Sequence, residues 1–65
     1  MNEGIKVTHN TTGNIAIIMK HQIFSFEYSE NFKCVLLYSI GGAYYPIKES
    51  KEYVEKLLNV VVLNP

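Results

Sequence analysis

Two five-residue runs, Ile15 to Met19 and Cys34 to Tyr38, are apolar at both odd and even positions. Side chains along a strand alternate between faces, so each run offers apolar groups to both faces of any sheet it joins. A sheet built on such strands needs cover on both sides. The chain has 65 residues, 48% of them apolar, which is enough for one small core and no second domain. At this length the entropy of ordering, roughly 1.5 kcal/mol per residue, leaves a lone core close to balance. Cover for the second face is therefore expected from outside the chain.

The charge pattern removes several function classes. Six Lys and six Glu, without Arg or Asp, sum to zero, so the field that would draw nucleic acid or an acidic membrane surface is missing. The single Cys34 cannot form an internal disulfide, and a Cys-based zinc site is not available to it. Residues 1 to 6 contain no apolar run of signal-peptide length, and Ile15 to Met19 is too short to span a bilayer. A cytoplasmic protein with no membrane partner is expected. Asn10-Thr11-Thr12 matches the glycosylation sequon but reads as a turn in that setting.

The order of local signals is strands, then one helix. Ile5 and Val7 alternate with Lys6 and Thr8, and Asn10 to Asn14 supplies five turn-favouring residues before Ile15 to Met19 resumes, a hairpin signal. Lys20 to Gln22 predicts a bend or bulge. Phe24, Phe26 and Tyr28 then share one parity and are expected to face the core. Ser29 to Lys33 reads as a loop, Cys34 to Tyr38 as a central strand, and Gly41-Gly42 as a tight turn leading into Ala43 to Ile47. Pro46 has no amide to donate, which assigns that strand to a sheet edge or its end. Ser50 predicts a helix cap, with Tyr53, Val54, Leu57 and Leu58 on one stripe and Glu52 and Lys56 paired on the other side. Val60 to Leu63 reads as a short strand that adds to a sheet edge, either near Ile5 or on a neighbouring subunit. Helical continuation through Val61 is the competing reading.

Chemistry-bearing residues are sparse. His9, His21 and Cys34 do not fall at spacings that would converge on a metal ion. Cys34 opens an apolar strand, which suits a small inert core residue better than a nucleophile. Glu27 and Glu30 have nothing beside them that would separate their pKa values into acid and base roles. Gly41-Gly42 lacks the spacing and following helix of a phosphate loop. Five Tyr and three Phe, bordered by Lys33 and Lys48, could form a stacking platform for single-stranded nucleic acid, but they fit core and subunit-contact roles better.

From Ile23 through Leu58 the chain resembles the small FlbD proteins of flagellar operons, through Ile23, Gly42, Ile47, Lys48, Glu49, Ser50, Glu52 and Val54. With Ile5 to Thr8 as first strand, the likeness covers most of the chain. It implies a small β-rich module without catalytic residues. The same segment also resembles the first half of LytTR-type DNA-binding domains, which share the Ile-aromatic strand, the glycine turn and the Ser-initiated helix.

Together these readings predict an α+β domain over residues 1–65. It comprises a bent, mostly antiparallel sheet of four to five strands with one C-terminal helix on one face. The expected function is non-catalytic, as a homo-oligomeric assembly or protein-interaction module, with a nucleic-acid-binding sheet face as the alternative. Oligomer contacts are expected at Ile15, Ile17, Met19, Val60, Val61, Val62 and Leu63. No catalytic residue, metal site or cofactor is expected. The expected partner is a second copy of the chain or another protein, rather than nucleic acid.

Overall fold

The turn-rich segment between Thr8 and Ile15 folds the chain back on itself, pairing β1 (Gly4–Thr8) antiparallel with β2 (Ile15–Met19). A computed structural model describes residues 3–63. His9 organises the reversal: its Nδ1 accepts the amides of Thr11 and Thr12 at 3.1 and 3.2 Å, and Gly13 closes the loop at φ 78°. A 3₁₀ turn at Lys20–Gln22 then redirects the chain, as the polar interruption predicts.

The next three strands form a second antiparallel sheet in the order β3 (Ile23–Ser29), β4 (Cys34–Ser39), β5 (Tyr44–Ile47). Ser39 donates to Ala43 and Gly42 donates back to Ser39, so residues 40–42 form a three-residue hairpin loop with Gly42 left-handed at φ 93°. The β3–β4 loop closes on Lys33 at φ 58°, a conformation that an L side chain adopts at a cost of about 1–2 kcal/mol. Central placement of β4 and edge placement of the Pro46 strand agree with the sequence reading.

Ser50 caps α1 (Lys51–Leu58) by accepting the Tyr53 amide at 3.1 Å. At the other end Asn59 is left-handed at φ 57°, and the amides of Asn59 and Val60 donate to Lys56 and Glu55. These paired bonds satisfy the last carbonyls and stop the helix.

The two sheets meet at one isolated bridge, His9 opposite Ile47. Asn10 donates to the Pro46 carbonyl and Lys48 donates to the Thr8 carbonyl, at 2.9 Å each. A residue's amide and carbonyl project to the same side of a strand, so the missing Pro46 donor points toward this junction and costs the β4–β5 ladder nothing. Glu49 completes the joint: one carboxylate oxygen accepts the Thr8 amide and the other the Thr8 hydroxyl, both at 2.9 Å. Above the joint, Ile5, Val7, Val35, Leu37, Ile47 and Val54 form a continuous buried core, flanked by half-buried Ala16, Ile18, Phe26, Tyr45, Leu57 and Leu58.

Several expectations are corrected. The architecture is α+β with five strands, but they form two small sheets rather than one bent sheet. Within one chain Ile15 to Met19 is covered only on the face of Ala16 and Ile18, which leaves its second face to cover from outside. The aromatic face of β3 is not buried as a unit. The register slips between Ile23 and Ser25, which turns Phe24 out to 77% exposure; Tyr28 also stays exposed, and only Phe26 reaches the core. Within its own chain Val60 to Leu63 pairs with neither sheet, and it does not extend the helix, since the left-handed Asn59 redirects the backbone. Val60 borders a groove that Lys20, Phe24 and Phe26 also line.

The joint sets a stability test. Glu49→Ala leaves two Thr8 donors without their charged acceptor, and hydrogen bonds to charged groups contribute roughly 1.5–3 kcal/mol each. Because both bonds are only partly buried, a loss of about 3 kcal/mol, the lower end of their sum, is expected in urea unfolding, with an unchanged denaturant slope.

Candidate functional site

The outer face of the first hairpin carries Ile15, Ile17 and Met19, opposite Thr8, Lys6 and Gly4. Ile15 is 66% and Ile17 58% exposed, and Met19 is half-buried. Gly4 lets Ile17 lie across the strand, because a Cβ there would stand 2.7 Å from the Ile17 Cγ2 methyl. Among the described residues no segment covers these apolar side chains, and Lys6 stands opposite Ile17 on the same face.

The edge of β2 is open as well. His9 donates to Asn14 at one end of the ladder and Lys20 to Glu3 at the other. Alternation along an antiparallel pair then points the amides and carbonyls of Ala16 and Ile18 at β1, and those of Ile15, Ile17 and Met19 away from it. None of the outward groups has a partner among the described residues. No charge, proline or bulge protects this edge, whereas the free edge of β3 has both the bulge and Glu27.

Beside the β2 edge lies an apolar groove of about 350 Å³, with Ile17, Ile18 and Met19 on one wall and Leu37, Ala43 and Tyr45 on the other. A separate groove joins Lys20, Phe24 and Phe26 to Leu58 and Val60. Ile23 is the one residue common to the two. Beyond Val60, the tail residues Val61, Val62 and Leu63 are 78%, 64% and 86% exposed.

The fold thus brings Ile15, Ile17 and Met19 onto one face and leaves the tail apart from them. The groove wall at Leu37 and Tyr45 and the outward Phe24 and Ile40 were not anticipated from the sequence. For Phe24 a signal existed: adjacent Ile23-Phe24 breaks the period-2 pattern, as a bulge does.

On the opposite side of the second sheet, Tyr38 donates to Glu27 at 3.2 Å, and Phe32 and Tyr44 stand with ring centres 5.7 Å apart. Desolvation, the hydrogen bond to Glu27, the Glu27 charge and nearby Tyr44 together raise the Tyr38 pKa above its ordinary value of 10.0. Cys34 is buried, at the end of the same face. Among the described residues no three His, Cys, Asp or Glu side chains gather as a metal site would require. No described helix is long and apolar enough to cross a membrane.

No protein-family model, curated protein or solved structure matches the chain. Nothing in those comparisons bears on the FlbD-like or LytTR-like resemblance.

Two measurements check these assignments. Glu27→Gln removes the charge, so the Tyr38 titration midpoint, followed by NMR at the ring Cζ, should fall toward 10.0. A raised tyrosine pKa stabilises the fold below the unfolded value and loses that contribution as pH rises through the folded value, so the variant should also unfold less steeply with pH in that alkaline range. Cys34 should react with a thiol reagent far more slowly in the native state than in denaturant, because burial suppresses the thiolate and blocks access.

Proposed function

We propose that this chain is a non-catalytic assembly module that associates with further copies of itself. The observation that carries the reading is the exposed apolar set on the β2 face and the tail, Ile15, Ile17 and Val61 to Leu63. Folded monomers of 7.4 kDa expose about 4200 Å² by the usual mass scaling, and this chain exposes 4865 Å². A closed homo-oligomer would also supply stability that a core of this size provides only narrowly.

Nucleic-acid binding is the second reading, favoured by the half-exposed Phe32 and Tyr44 with Lys33 and Lys48 on the same chain segments. Glu27 on that face and a net charge of zero work against phosphate binding.

Light scattering at micromolar concentration should return a multiple of 7.4 kDa. A monomer that shifts a single-stranded oligonucleotide in a gel, with the shift lost steeply as salt rises, would replace the assembly reading with the second one.

A further inference from the structure

We infer that the copies associate by strand addition, with Val60 to Leu63 of one chain pairing along the free edge of β2 in another. The inference rests on the assembly reading and deepens it by naming the two surfaces that meet. The acceptor presents the outward amides and carbonyls of Ile15, Ile17 and Met19, a run of five uncharged residues without proline or bulge. The donor is uncharged, three of its four residues are β-branched, and it has no place in either sheet. Main-chain bonds along an edge give affinity, and alternate side chains give fit.

Alternation in the tail matches the groove. Val61 and Leu63 are its most exposed residues, at 78% and 86%, and they share one parity. As a strand, the tail can set these two side chains into the groove of about 350 Å³ between β2 and Leu37, Ala43 and Tyr45. Four residues extend about 13 Å, within the length of β2. The donor is assigned to another copy because in its own chain the tail pairs with neither sheet and leaves Val61 to Leu63 exposed. Pairing of β2 with β2 of a second copy would satisfy the same edge but leave Val61 to Leu63 in water. Tail exchange satisfies the β2 edge and buries Val61 and Leu63 at once, and a reciprocal exchange closes a twofold dimer.

Two full-length variants separate these arrangements. Ile17→Pro removes an outward amide and leaves the β1–β2 ladder its own bonds, since proline is tolerated on an edge. Val61→Asp with Leu63→Asp spoils the donor and leaves the edge intact. Sedimentation should give wild type at twice 7.4 kDa or a higher multiple and each variant alone at 7.4 kDa. An equimolar mixture of the two should regain a dimer, since the intact tail of the proline variant meets the intact edge of the aspartate variant. That rescue also shows that the aspartate variant keeps a folded β2 edge; circular dichroism checks the fold of the proline variant, with Ile15→Pro as a second edge variant. Monomeric wild type overturns the assembly reading and this inference together. An oligomer unchanged by the aspartate pair, or lost in both variants without rescue on mixing, overturns tail exchange and leaves assembly standing. Loss of a monomeric fold in the aspartate pair would place the tail in its own chain's groove and likewise overturn the exchange.

Discussion

Everything in this fold depends on the joint at Thr8. One residue donates its amide and its hydroxyl to Glu49 and accepts the Lys48 amide on its carbonyl. Among the described residues the sheets share no continuous ladder, only the His9–Ile47 bridge. A bridge of one residue pair has little intrinsic stability, so the partly buried carboxylate bonds spanning 41 residues of sequence fix how the hairpin sits on the meander. That placement brings Ile5 and Val7 over Val35, Leu37 and Ile47, with Val54 closing the space from the helix. Polar chemistry at the rim and apolar packing inside are one arrangement, since losing either frees the same two layers.

The two apolar strands illustrate how unevenly cover is distributed in a chain of this size. β4 is buried on both faces: Val35 and Leu37 lie in the core, and Cys34 and Leu36 on the other side are also shielded. It has a strand on each side, and Glu27 and Pro46 stand opposite Leu36 in the register. β2 has one neighbour and one covered face. A single eight-residue helix cannot serve both sheets, and α1 is spent on the shared core through Val54, Leu57 and Leu58. The uncovered β2 face follows from geometry rather than from composition.

Edges differ in the same way. The outer edge of β5 is used by the joint, and Pro46 points its missing donor there. β3 carries a bulge and a carboxylate. β2 alone among the described strands combines a free edge with wholly uncharged, unbroken sequence, and the Asn59 cap releases an equally uncharged tail into solvent. Apolar edge and apolar tail are costly apart and complementary together.

Local chemistry made much of this legible from the sequence. Asn10 to Asn14, Gly42 and Ser50 dictate their turns and cap through backbone preferences that need no distant partner, and Pro46 dictates an outer strand through its missing amide. The buried Cys34 and the central strand were legible in the apolar run Cys34 to Tyr38. Apolarity at both parities, however, states only that Ile15 to Met19 needs two covered faces, and whether they are covered depends on how many layers the chain can supply. Only the tertiary structure decided that the strands divide into two sheets, that Phe24 turns outward through a bulge, and that Val60 borders a groove lined by β3. Each of these turns on contacts between segments far apart in the chain, the Thr8–Glu49 bonds above all, and no local pattern encodes the distance between them.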